Sequence, residues 1–315
     1  MKVKKAHLLA AMKVRMNTKN KTVYIIAGPT ATGKTDIAIR LAQQLHTVII
    51  SADSRQCYKE MSIGTAKPSS QELQKVKHYF IDEFSVQESI TAAEYERLAL
   101  AYLNEIFAVQ DVAVVCGGTG LYIKALCEGL DEMPEVNPSI EAEINAAYKL
   151  NGKAWLQEEV KKQDPLFYNK CENENPARLL RALIFKLSTG ESILNYRSGS
   201  KKVRDFKVVK IILEMPREQL YDRINKRVDI MMQEGLLEEV KRLYPFRNLK
   251  NLQTVGYSEL FEYLDGNCSL QEAIEKIKQH TRNYAKRQIT WFRKEKDAVY
   301  LNVEDANVID KILQH

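Results

Sequence analysis

Residues 28–35 read Gly28, Pro29, Thr30, Ala31, Thr32, Gly33, Lys34, Thr35, a full G-x-x-x-x-G-K-[ST] phosphate loop. In such a loop the glycines let backbone N–H groups turn inward on phosphate oxygens. The lysine reaches over them as a point charge, and the threonine hydroxyl is placed to ligate Mg²⁺. The set predicts a diphosphate-bearing ligand. A carboxylate, Asp53, stands in Ser51-Ala-Asp-Ser-Arg-Gln56 after the next apolar run. There it suits a general base acting on an acceptor that approaches the bound diphosphate. An Asp at a strand end also caps turns, and position alone leaves both roles open. Arg223 and Arg227 are four apart in a helical stretch, so they share a face that can clamp a diphosphate or be plainly solvated. Two more basic groups stand out. One is Arg178 with Arg181 behind Pro176; the other gathers Arg282, Lys286 and Arg293 with Tyr284, Trp291 and Phe292 interleaved. A phosphodiester backbone or bulk water would satisfy either group.

The elements that must hold these residues follow from hydrophobic period. Thr22 to Ala27 is a β-branched apolar run ending at the phosphate loop, and Asp36 to Leu45 continues with helical spacing. Thr47 to Ser51 is a second strand, delivering Asp53. Asp111 to Cys116 is a third, running into Gly117-Gly-Thr-Gly120 and a helical Leu121 to Glu128, and Phe206 to Glu214 is a fourth. Strands alternating with helices predict a parallel α/β sheet of the P-loop NTPase type, with ligands at the carboxyl ends of its strands. The third strand ends in glycines and Thr119, without the acidic residue that motor ATPases use to organise Mg²⁺ and water, so hydrolysis is not the favoured chemistry.

Between residues 131 and 200 strand signals stop and prolines punctuate charged helical stretches, which predicts an inserted helical subdomain. The core is then 22–130 with 201–315, preceded by a basic extension over 1–21. Helices are expected over 220–234, 236–243 and 269–294, the last opened by the capping box Ser269-Leu-Gln-Glu272. Its residues 270, 274, 277, 284 and 291 predict one core-facing stripe.

Composition sets the limits. The 315 residues are 45% hydrophobic with a net charge of +6, enough for a sizeable core and permissive of an anionic partner. Five cysteines (57, 116, 127, 171 and 268) without a C-x-x-C pair suggest neither a disulfide framework nor zinc, and a reducing cytoplasm is the simplest home. With no apolar run of about 18 residues, a membrane span is not expected.

With these residues in hand, the chain resembles the tRNA dimethylallyltransferases over nearly all of 22–300. The resemblance rests on the phosphate loop, Ser51–Gln56 with Tyr58, Ile63-Gly-Thr-Ala-Lys-Pro68, Gly117–Tyr122, Arg178-Leu-Leu-Arg-Ala-Leu183, Val255-Gly-Tyr257 and Lys286-Arg-Gln-Ile-Thr-Trp-Phe-Arg293, all in the family's order. It implies transfer of a dimethylallyl group from dimethylallyl diphosphate to N6 of adenosine 37 in tRNA. Diphosphate leaves, and the phosphate loop holds the donor rather than ATP.

The resemblance implies Asp53, Thr119 and Arg227 as the catalytic set. Gly28 to Thr35 with Arg223 would grip the diphosphate, and Thr35 would carry Mg²⁺. Contacts to the tRNA anticodon stem-loop are implied for Asp53, Ser54, Arg55 and Gln56, and for Ala177, Arg178, Leu179, Leu180 and Arg181. They are implied also for Gln253, Thr254, Val255, Gly256, Tyr257 and Ser258, with Arg282 and Lys286. A monomer is expected. The family pattern is broken at Glu172-Asn-Glu174, Ile184, Cys57 and Glu141. The rival readings are a nucleoside or small-molecule kinase and a nucleotide-switched RNA-binding protein without catalysis.

Overall fold

The computed structural model describes residues 21–171 and 173–315. The basic extension, apart from Lys21, and Glu172 lie outside the described residues. Contacts divide the chain into two compact units, one running to Glu128 and resuming over Val203–His315, the other spanning Gly129–Lys202.

The larger unit is a six-stranded parallel sheet ordered β3-β2-β4-β1-β5-β6. Its strands are β1 (Thr22–Ala27), β2 (Ile49–Ser51), β3 (His78–Tyr79), β4 (Val112–Gly117), β5 (Lys207–Glu214) and β6 (Val299–Asn302). β1 pairs along its whole length with β4 on one side and β5 on the other. Such a strand is covered on both faces, which is why it reads as a continuous apolar run rather than an alternating one. One face packs α1 (Lys34–Gln44) and the carboxyl-terminal helix 308–313 through Ile37, Ala38, Leu41, Val308, Ile309 and Ile312. The other packs the helices at 92–107 and 120–128 through Tyr95, Ala99, Leu103, Tyr122 and Leu126.

Four strands were expected and six are present among the described residues. β3 has two residues and β6 four, below the length at which a period shows in sequence. The helix over Ala92–Phe107, opened by a Thr91–Glu94 capping box, was also missed by the sequence reading. Where the chain re-enters this unit, Arg204 donates to the carbonyls of Ala125 and Leu126 and to Glu96 Oε1 at 2.7–2.8 Å. A cation there caps the last turn of a helix, where unpaired carbonyls and the macrodipole favour it.

The smaller unit is helical. Its helices are Pro138–Gln163, broken at Gly152 (φ 75°), Pro165–Lys170 and Pro176–Thr189. Each begins at a proline behind an Asn or Asp cap, and Leu156, Val160, Phe167, Leu179, Leu183 and Phe185 close its core.

The helix that organises the site is the long one over Leu270–Phe292. Its buried residues are Ala273, Ile277, Ala285, Gln288 and Phe292. The stripe expected from the sequence is therefore corrected in part: Leu270, Ile274 and Ile277 pack on the core, but Tyr284 and Trp291 turn toward the glycine loop behind β4.

Candidate active site

The phosphate loop leaves β1 through Gly28, whose φ is +143° and whose absent Cβ would lie 2.5 Å from the Leu213 carbonyl oxygen. A side chain there would split β1 from β5, so only glycine fits. The loop is braced from inside. Thr32 Oγ1 donates to the Pro29 carbonyl at 2.9 Å, Lys34 Nζ donates to the same oxygen at 2.6 Å, and Gly33 enters α1 in the left-handed region.

Lys34 sits among like charges. Burial, with Arg227 nearby, lowers its amine to about 8, against opposing pulls from Cys116 and Asp53. Arg227 is itself held below its ordinary range, by burial and then by Arg223. The Arg223 guanidinium packs over Gly33, 3.4 Å from where a Cβ would stand. Three cations thus converge on the start of α1, an arrangement that costs free energy unless a polyanion is bound. The structure brings Lys34, Arg223 and Arg227 together, where the sequence left the arginine pair open between a clamp and a solvated face.

Beside this cradle stands the Asp53 turn. Asp53 Oδ1 accepts from the Arg55 and Gln56 amides at 2.8 and 3.3 Å, so the capping role is real. Oδ2 takes no hydrogen bond among the described residues. One oxygen builds the turn and the other is uncommitted among the described residues, so the capping role leaves room for the second. The turn is fixed to the loop behind β4: the Thr119 N–H donates to the Ala52 carbonyl at 3.1 Å, and Thr119 Oγ1 accepts from the Ser54 amide at 3.1 Å. Gly117 allows this approach, since a Cβ would fall 2.3 Å from the Ala52 backbone.

Three residues of the long helix complete the site, and the sequence reading gave none of them a role there. Tyr284 stands beside the Thr119 side chain, and burial followed by the charge of Asp53 pushes its phenol up to about 12. Gln288 joins Thr30 of the phosphate loop to Gly118, and Trp291 covers Gly120. Their spacing of four and three is a helix face, but aromatics on a face read as core in a single sequence. Burial pushes Cys57 and Cys116 up to about 12, which removes them as thiolate nucleophiles.

Other predicted positions sit differently. Gln56 Nε2 donates to the Thr65 and Ala66 carbonyls, clasping the 62–66 loop rather than presenting its amide outward. Tyr257 is fully buried and donates to Glu239 Oε1 at 2.6 Å; that carboxylate also receives the amides of Ser62, Ile63 and Gly64. In the same segment Gly256 is buried, Gln253 is exposed, and Thr254, Val255 and Ser258 are half-buried. Arg282 donates to Asn225 at 2.6 Å, and Lys278 pairs with Asp229. Lys286 and Arg293 line a cavity of about 540 Å³ with Pro29, Met215, Arg217 and Tyr221. The basic groups of the long helix thus do not form a single open stripe. In the smaller unit Ala177, Arg178 and Arg181 are exposed, Leu180 is half-buried and Leu179 belongs to the core.

The larger unit thus joins a parallel sheet, a cationic phosphate loop and a carboxylate turn at the next strand end, the arrangement of a phosphate-loop protein. Comparison with known proteins narrows the class. A family profile described as IPP transferase matches residues 56–295. A tRNA dimethylallyltransferase of Cytophaga hutchinsonii is 41% identical over 95% of this chain and 98% of its own. Another, of Christiangramia forsetii, is 45% identical over 91% and 96%. The crystal structure of the tRNA isopentenylpyrophosphate transferase from Bacillus halodurans superposes with a TM-score of 0.68, at 37% identity and 94% coverage of both chains. That of a eukaryotic dimethylallyltransferase acting on tRNA gives 0.75, at 25% identity, over 93% of this chain and 77% of that one. The chain belongs to the IPP transferase family, the tRNA dimethylallyltransferases. Among the described residues no helix is long and apolar enough to cross a membrane.

Proposed function

We propose that this enzyme transfers the dimethylallyl group of dimethylallyl diphosphate to N6 of adenosine 37 in tRNA, releasing diphosphate. The observation that carries the reading is the junction of two half-sites at one sheet edge. The cationic cradle of Lys34, Arg223 and Arg227 lies beside Asp53, which keeps one oxygen uncommitted among the described residues. A kinase would share both the cradle and a strand-end carboxylate, so the group that is transferred decides between the two readings.

The chemistry is a substitution at the allylic carbon. The C–O bond to the diphosphate breaks, the C–N bond to N6 forms, and the N6 proton passes to Asp53. Charge grows on the departing oxygen, and Lys34, Arg227 and Arg223 stand where that charge is taken up. A neutral exocyclic amine is a weak nucleophile, so alignment against the allylic carbon supplies much of the acceleration. The adenine must leave its stacked loop to reach Asp53, and Tyr284 offers a ring beside it.

Mg²⁺ fits the residues as a companion of the donor. The Thr35 hydroxyl takes no hydrogen bond among the described residues, and no cluster of three or more His, Cys, Asp or Glu among them could cage an ion alone. Mg²⁺ keeps most of its waters and binds through phosphates with one or two protein oxygens, so Thr35 would hold it. Its contribution there is to neutralise phosphate charge.

The test is incubation of the whole chain with unmodified anticodon stem-loop RNA, dimethylallyl diphosphate and Mg²⁺, followed by mass analysis of RNA fragments. One prenyl unit gained at the adenosine 3′ of the anticodon is expected. Transfer of γ-phosphate from ATP to an acceptor, without prenylation, would establish the kinase instead.

A further inference from the structure

Gln288 is 6% exposed and lies on the stripe that otherwise buries Ala273, Ile277, Ala285 and Phe292. Its Oε1 accepts from the Thr30 amide at 2.8 Å and its Nε2 donates to the Gly118 carbonyl at 2.9 Å. One loop offers a donor and the other an acceptor, so a neutral carboxamide is the side chain that satisfies both. The fit is tight. A Cβ on Gly118 would lie 2.3 Å from Nε2, which makes the glycine a seat for this amide.

A buried amide costs free energy unless both ends are bonded, and an apolar residue would pack the helix face without that risk. The position of the amide explains why it stands there. Thr30 belongs to the loop that grips the leaving diphosphate, and Gly118 precedes Thr119, which holds the Asp53 turn through the Ser54 amide. Among the described residues Gln288 is the side chain hydrogen-bonded directly to both loops. We propose that Gln288 is a positioning residue that fixes the offset between the donor and acceptor halves of the site. The inference rests on the reading of those halves given above. A displacement of about 1 Å between reacting atoms can lower a rate by about 10²-fold, so loss of the link acts on turnover more than on either affinity.

Two variants test this, each first checked for a folded state by thermal melting. Gln288→Met keeps length and removes both bonds. It should lower kcat by about 10- to 10²-fold while KM for dimethylallyl diphosphate and for RNA stay within about threefold. Gln288→Glu keeps the acceptor for Thr30 but sets a carboxylate against the Gly118 carbonyl. Burial and that carbonyl raise its pKa, and once protonated it again donates to Gly118 and accepts from Thr30. The ratio of variant to wild-type kcat should therefore climb as pH falls from about 8 to about 5.5, approaching unity. Taking the ratio cancels every titration that both enzymes share.

A ratio flat with pH overturns the proposal, whether or not the Met variant folds. So does a folded Met variant within threefold of wild-type kcat. A wild-type enzyme that prenylates no RNA overturns the functional reading and this inference with it. Active wild type beside unaffected Gln288 variants overturns the inference alone.

Discussion

The lowered amine of Lys34 makes donor affinity depend on pH in a direction that can be worked out. Burial brings this lysine to about 8, well under its ordinary value, because the charged form is desolvated beside Arg227. A diphosphate in the cradle reverses that balance by pairing with the ammonium, so the donor binds the protonated form and raises the pKa again. Binding then takes up a proton over the range where free Lys34 is neutral. With a pKa of about 8, the free enzyme is roughly 90% protonated at about pH 7 and roughly 10% at about pH 9. The apparent Kd for dimethylallyl diphosphate should therefore rise about tenfold between those values. The phosphate groups last titrate near about pH 6, so the ligand contributes nothing over this window. Cys57, Cys116 and Tyr284 titrate at about 12 and are silent there too. Calorimetric titration of donor and Mg²⁺ into enzyme without RNA, at constant ionic strength, reads the effect. Lys34→Ala should bind roughly 10- to 100-fold more weakly, the loss of a charge-assisted hydrogen bond, and with a flat profile. A wild-type Kd constant from pH 7 to 9, or the same slope in Lys34→Ala, would refute the argument.

Asp53 carries two roles on two oxygens, and two substitutions separate them. Asp53→Asn keeps an oxygen for the Arg55 and Gln56 amides while removing the base, so turnover should fall about 10²-fold with RNA affinity retained. Asp53→Ala should match it in rate and also lose thermal stability; an Asn variant with near wild-type turnover would assign the residue to the turn alone. Glu239→Ala leaves the buried Tyr257 hydroxyl and three amides of the exposed to half-buried 62–64 segment without their acceptor, and unfolding free energy should drop by about 3 kcal/mol in urea titrations. Tyr257→Phe removes one of these bonds, for about 1 kcal/mol, and RNA binding measured by filter retention should not change.

Much of the site was legible because its chemistry is local in sequence. The phosphate loop declares itself in eight consecutive residues flanked by a strand and a helix, and Lys34 and Thr35 follow at once. Asp53 was found by the same logic, since a parallel sheet delivers the end of each strand to one edge. Tyr284, Gln288 and Trp291 were illegible for the complementary reason. Their partners Thr119, Gly118 and Gly120 are about 170 residues away, and nothing in a helical period separates a ring packed on a core from one packed on a glycine loop. Tyr257 erred in the opposite direction. Its place in a motif suggested contact with RNA, whereas its side chain holds Glu239 and leaves Gly64 no room for a Cβ, which would fall 2.6 Å from the ring.

A division of labour among the motifs follows from these contacts. Val255-Gly-Tyr257 and Ile63–Pro68 do not meet the reacting groups; they meet each other through Glu239, and the 62–66 loop then clasps Gln56, whose amide closes the Asp53 turn. The chain of bonds runs from a buried carboxylate to the proposed base through the backbone of the 62–66 loop and the side chain of Gln56. Backbone loops at strand ends are otherwise the softest parts of a sheet. Fixing Asp53 from two sides, by this chain and by Thr119, gives a carboxylate that needs little reorganisation when an amine arrives. Preorganisation of this kind is where electrostatic and positional catalysis have their effect. On that account the cost of disturbing the outer motifs should be read in kcat as well as in stability, and Gln56→Ala, which removes the relay and a Ser51 hydrogen bond but keeps the backbone amide on Asp53, is the substitution in which the two effects are most nearly separated.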